Sequence, residues 1–200
     1  GSAVPPIDGS VTTAKLANSA VTDAKIDTMA ASKLTGALPA IDGSALTNLN
    51  GVSVYEVWSR SDAYSTLSNA DTEYTTNWNK YGDSINAGMT ESSGVFSFPS
   101  TGVWIVKTVL CGFMNAGENN SCYMVTKVTT DNSTYTSKAT VRQGAHSTLW
   151  YHGSTEEIVD VTDTSNVKVK FQFGRDAGTQ EVYFTSGRYT RVIFMKVGET

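Results

Sequence analysis

A mainly β fold is predicted, a β-sandwich head carried on a short fibrous stalk, and three features of the sequence predict it. All twenty aromatic residues (4 Trp, 9 Tyr and 7 Phe) lie after Gly51, the first being Tyr55. Residues 52–200 break into short apolar or alternating runs separated by Gly, Asn, Asp and Ser clusters, with no stretch that sustains a helical period. Residues 1–51 carry instead an Ala-, Ser- and Thr-rich repeat whose large apolar residues fall every five positions, a spacing that matches neither helix nor strand. At 200 residues and 40% hydrophobic content the chain can bury a sizeable core. A net charge of −4 and a pI near 5.1 argue against a binder of phosphate backbones, so no nucleic-acid partner is expected. No apolar run approaches the roughly 20 residues of a membrane span, and no membrane insertion is expected. The chain opens Gly1-Ser2, without a start methionine or a leader pattern, and is expected to be part of a longer one.

The stalk, residues 1–51, cannot fill a globular core alone, because it has no bulky side chains to offset the entropy of ordering it. Val11-Thr12-Thr13-Ala14-Lys15-Leu16 recurs ten residues later as Val21-Thr22-Asp23-Ala24-Lys25-Ile26. Ile7-Asp8-Gly9-Ser10 returns unchanged as Ile41-Asp42-Gly43-Ser44. A repeat that cannot bury its apolar residues within one chain must stack or oligomerise, and a flexible linker is the alternative. These repeats, with Ser32-Lys33-Leu34-Thr35-Gly36-Ala37-Leu38-Pro39-Ala40 leading into the second Ile-Asp-Gly-Ser, resemble the shaft repeats of bacteriophage tail fibres. That resemblance implies a homotrimer with a distal, host-facing head, located in the virion and made in the host cytoplasm.

The head, residues 52–200, begins after the turn-forming Asn48-Leu49-Asn50-Gly51. Strands are predicted at 52–59, 94–98, 102–114, 121–130, 134–142, 147–151, 156–162, 167–173, 181–185 and 188–197, a number that suits a sandwich or jelly roll. Val167, Val169, Phe171 and Phe173 share one face of their strand while Lys168, Lys170 and Gln172 share the other, so that strand has one wet side. The run from Gly102 to Met114 differs, being apolar on both faces except at Lys107. A second apolar face calls for a second cover, either a loop of the same chain or another subunit.

Phe96, Gly102, Trp104 and Val106 resemble, in spacing, the Phe-x5-Gly-x-aromatic-x-apolar signature of the tumour-necrosis-factor-like jelly roll shared with complement globular heads. Glu157-Ile158-Val159-Asp160-Val161 followed by 163–173 resembles that family's next hairpin, and Phe184-Thr185-Ser186-Gly187 its closing motif. Val106 stands where the family usually has an aromatic. The resemblance implies a jelly-roll head that trimerises through one sheet. Trp104, Val106, Tyr189 and Ile193 are the expected interface residues.

The sequence offers little chemistry. His146 and His152, six apart on one strand, would lie roughly 20 Å apart, too far to share a metal ion. Glu156-Glu157 and Asp160-x-x-Asp163 lack the pattern of a calcium loop and read as solvated. No nucleophile elbow or phosphate loop occurs, so no enzyme activity, metal or cofactor is expected. Cys111 and Cys122 flank the turn-like Asn115-Ala116-Gly117-Glu118 and are expected opposite one another on a hairpin, as free thiols. Recognition of a host-surface glycan or protein is the expected function. The alternatives are a polysaccharide-degrading tailspike and a structural trimerisation tip. Sugars are gripped by aromatic faces with polar groups beside them, usually on loops. The candidate receptor-binding residues are therefore Asn115, Glu118, Asn119 and Asn120, Trp150 and Tyr151 of the Trp150-Tyr151-His152 group, and Arg175 in an exposed charged loop.

Overall fold

The computed structural model describes residues 51–67, 70–86, 88–114, 119–146, 149–176, 180–185 and 188–200, and of Met114, Asn119, Asn120, Ala145, His146 and Leu149 the backbone only. The stalk, apart from Gly51, lies outside the described residues, as do Asn115 and Glu118.

Two antiparallel sheets make up the head. The first contains β1 (Val54–Arg60), β2 (Tyr64–Thr66), β4 (Trp78–Lys80), β7 (Gly102–Met114), β10 (Leu149–Val161), β12 (Gln180–Tyr183) and β13 (Arg191–Gly198). The second contains β3 (Thr72–Glu73), β5 (Thr90–Ser92), β6 (Val95–Ser97), β8 (Asn119–Thr129), β9 (Thr136–His146) and β11 (Lys168–Arg175). In the first sheet β7 pairs along its whole length with β10, from Leu149↔Met114 to Val161↔Gly102. Its other edge is shared: β13 pairs with Val103–Val109 and β12 with Gly112–Met114. β1 then adds to β13, with Val54 opposite Lys196. These registers put Val54, Trp104 and Val159 at one end of the sheet, where the chain enters, and Met114, Leu149 and Gln180 at the far end.

Alternation along each strand decides what is buried. Trp58, Trp104, Val106, Leu110, Val192 and Phe194 face Phe96, Met124, Val169, Phe171 and Phe173 of the second sheet. Phe96 sits among Trp58, Trp78, Phe171 and Phe194 with ring centroids 5.2–5.5 Å apart, three of these contacts being edge-to-face.

Several expectations are corrected here. Trp104 and Val106 were expected between subunits, but both are 0% exposed and pack between the two sheets of one chain. The outward face of β7 is the other one, with Val103, Ile105, Val109 and Phe113. The strands expected at 147–151 and 156–162 are one continuous strand, β10. Gly153, within that strand, lacks a side chain and so admits Gln143, whose amide would collide with a Cβ there. The expected hairpin between Val161 and Phe173 is a crossing between sheets, since β10 pairs with β7 and β11 with β8. The link from β7 to β8 also changes sheets, so Cys111 and Cys122 are not opposite each other. Cys111 pairs with His152, and Cys122 with Gln143 and Arg175.

Candidate functional site

The outward face of the first sheet is unusual for an isolated sandwich. Its entry half is apolar, with Tyr55, Val57, Val103, Ile105 and Met195 half-buried and Ile158, on the edge strand, 69% exposed. Lys107 and Glu156 form an ion pair of 2.6 Å across its middle. Toward the far end the face becomes aromatic. Phe113 meets Trp150 at 5.4 Å, Trp150 meets Tyr183 at 4.7 Å, and Tyr183 stacks on Tyr64 at 5.5 Å. Tyr189 stacks on Trp150 at 5.8 Å, with the two planes 21° apart.

An interruption in the sheet creates a pocket beside these rings. β12 and β13 run in the same direction along one edge of β7, and between them the chain leaves the ladder and returns, closed by the Thr190 amide donating to the Tyr183 carbonyl at 2.9 Å. The Thr190 side chain fills the gap. Its Oγ1 accepts from the Cys111 amide and donates to the Cys111 carbonyl, both at 2.9 Å, so the buried backbone opposite the break keeps its partners. The excursion holds Arg188 and Tyr189 above the sheet. With Val109, Cys111, Trp150, His152 and Arg191 they line a cavity of about 400 Å³. The Arg191 guanidinium donates to the carbonyls of Arg188 at 2.8 Å and Tyr189 at 3.2 Å, which fixes it on the rim. Among the described residues no carboxylate lines the cavity. Glu181, the acid of the neighbouring strand, accepts from the Tyr183 hydroxyl at 2.7 Å, and that bond pushes the Tyr183 phenol up to about 12.

Behind the pocket, Tyr151 points the opposite way from Trp150, as strand alternation demands. It lies beneath β7 and donates to the Glu181 carbonyl at 2.9 Å. Gly112 permits this, because a Cβ there would overlap the Tyr151 ring and hydroxyl. Burial pushes the phenol well above its ordinary value.

Of the residues expected to bind a receptor, Trp150 is 54% exposed and in the pocket, whereas Tyr151, which also borders the pocket, is buried with its hydroxyl turned beneath β7. Tyr189, expected at an interface, is 38% exposed and shares the pocket, and Ile193 lies buried lower on the same sheet. Arg175 is not on an exposed tip. It ends β11 in the other sheet, half-buried, with Nε and Nη1 lacking a hydrogen-bond partner. The loop's other charge, Asp176, is held by Arg142 at 2.7 Å and by the Ser121 hydroxyl. Asn119 and Asn120 begin β8 opposite His146 and Ala145. His152, named with Trp150 and Tyr151, also lines the pocket, whereas Arg188, Arg191 and Phe113 were missed. The period-2 rule already puts Trp150 and His152 on one face, and a strand break was expected after Thr185, but the sequence does not show that β13 begins only at Arg191, which leaves Arg188 and Tyr189 free to line the pocket.

Comparison with known proteins finds likeness in structure alone. No protein-family model matches the chain, and no curated protein matches it by sequence. Among solved structures it is similar to murine APRIL, at 9% identity and TM-score 0.53, covering 72% of this chain and 98% of that one. Eiger TNF from S. frugiperda is similar at 10% identity and TM-score 0.54, covering 73% and 93%. The PRD1 vertex protein P5 matches at 16% identity and TM-score 0.47, covering 74% and 99%. The fold of the head is thus a jelly-roll β-sandwich of the tumour-necrosis-factor type, as its sequence predicted.

Proposed function

We propose that the chain is the distal part of a bacteriophage tail fibre, a homotrimeric adhesin that recognises a host-surface glycan or protein and turns nothing over. The outward face of the first sheet carries this reading. A lone sandwich keeps such a face polar, whereas Val57, Val103, Ile105 and Met195 here form an apolar field beside the protruding Ile158. In a threefold ring two different patches of each chain meet. The edge strand β10 of one copy, led by Ile158, packs on the Val103, Ile105 and Met195 field of the next. The shaft-like repeats of residues 1–51 support the same symmetry and the place in the virion. Three heads on one stalk convert weak single contacts into firm attachment.

Light scattering on the whole chain should return three times the chain mass of 21.4 kDa. Fluorescently labelled chain should bind some bacterial strains of a panel and block their infection by the parent virus. A monomer at micromolar concentration, or binding to no strain, overturns the reading. Release of reducing ends from the polysaccharide of a bound strain would reveal turnover and overturn its non-enzymatic part.

A further inference from the structure

We infer that the cavity between Trp150, Tyr189, Arg188 and Arg191 is a binding site for a carboxylate-bearing saccharide. This rests on the adhesin reading and names its ligand class. A volume of about 400 Å³ falls within the range of small-molecule pockets, and suits one or two sugar rings. Trp150 and Tyr189 offer nearly parallel aromatic faces on which the C–H faces of a pyranose pack. Both are substantially exposed, Trp150 by more than half, in a head whose Trp58, Trp78 and Trp104 are all buried.

Charge selects among sugars. Two guanidiniums, permanently cationic, line the cavity with no carboxylate among the described lining residues to balance them, in a chain whose overall charge is −4. A guanidinium binds a carboxylate through paired hydrogen bonds, which fix orientation as well as affinity. Arg191 is held in place by two backbone carbonyls, so it reaches a ligand with little left to order. The Val109 and Cys111 floor is apolar, and His152 adds a polar ring nitrogen at the side. A neutral sugar would leave the guanidiniums without an anionic partner. A bare inorganic anion would leave the rings uncovered. An acidic sugar satisfies both. A second copy of this chain is a poorer occupant, since symmetry would bring the same arginines together with no added counter-charge.

The test uses the whole chain with two probes, a galacturonic acid tetramer and a sialic acid tetramer, and the methyl ester of each as the uncharged counterpart. Trp150 fluorescence reports occupancy, and titration calorimetry gives the affinity. At least one acid should bind and its ester should bind about tenfold more weakly or not at all. Arg188→Gln should weaken the acid about tenfold, Trp150→Ala should abolish both binding and the fluorescence change, and Arg142→Gln, in the other sheet, should change nothing. Binding of neither acid, equal binding of acid and ester, or a drop to the single-chain mass in Arg188→Gln overturns the assignment; the last would make the cavity a subunit contact. If Arg188→Gln loses the acid but the labelled variant still binds cells like the parent, the cavity is not the receptor site and the adhesin reading stands. If the parent binds an acid but no bacterial strain, the adhesin reading fails and the saccharide site stands.

Discussion

Glu56 shows how a single side chain can organise this head. It is fully buried on the core side of β1. One carboxylate oxygen accepts from the Met89 and Gly88 amides and the other from the Trp58 indole at 2.8 Å, with Lys80 3.5 Å away. Replacing Glu56 by Ala would strand three donors at once, and a buried donor left unpaired costs roughly 1–3 kcal/mol. Glu56→Ala should therefore lose about 3 kcal/mol or more in urea unfolding, with the 81–89 segment opening first in hydrogen exchange. The cysteines give a second expectation. Burial pushes the Cys122 thiol up to about 12 and raises Cys111 as well. The reactive species is the thiolate, so neither should label at pH 8 in the folded head, and both should label once it unfolds. A fast native reaction at Cys122 would contradict that. None of this was readable from residue type. A Glu between Tyr and Val looks like the wet side of a strand, and only the fold reveals the amides that converge on it.

Among the elements, the break between β12 and β13 has the sharpest test. Thr190→Val keeps the shape of the side chain and removes the hydroxyl that serves both the Cys111 amide and its carbonyl. The expected cost is about 2 kcal/mol, a fall in Tm of several degrees, with the pocket edge loosened. Acidic-saccharide binding should weaken in the same variant, because Arg188 and Tyr189 ride on the excursion that Thr190 anchors. Strand positions were largely legible in the sequence: β7 was predicted from Gly102 to Met114, as found. Alternation of large apolar residues is a local signal, and turn residues mark its ends. Pairing is not local. Nothing between Val161 and Lys168 says whether the next strand turns back beside the last or crosses to the other sheet, and both readings that assumed a hairpin failed.

For the whole molecule, three surface carboxylates predict its response to acid. Asp131 accepts from the Thr134 and Ser133 amides at 2.7 and 2.9 Å, and these bonds hold its carboxyl far below the usual range. Asp163 is lowered by the Ser165 amide, and Asp176 by Arg142. A carboxyl whose folded pKa lies below its unfolded value contributes stability that is complete above the unfolded value, about 3.9, and fades as pH falls through the folded one. Tm should thus be flat on the acid side down to about pH 5 and decline below about pH 4. The Asp131→Asn variant should decline less. A Tm that rises on acidification would reverse the sign and sink the argument.

The pairing of β1 with β13 joins the first strand of the head to the last. β13 is also an interior strand, flanked by β7 on its other side, so residues 191–198 stand at the centre of the first sheet. As the head is synthesised its other strands leave the ribosome before β13, so the first sheet stays split until Gly198 emerges. Folding of the head is therefore deferred until β13 has been translated, since the long-range pairing that completes it has no earlier substitute. A chain cut short after Thr190 would expose the edges of both β1 and β7 and the apolar residues beside them, and would be removed or aggregate. Because only chains that include β13 form heads, any assembly that depends on the head admits only copies translated through that strand, which makes it a proofreader of synthesis.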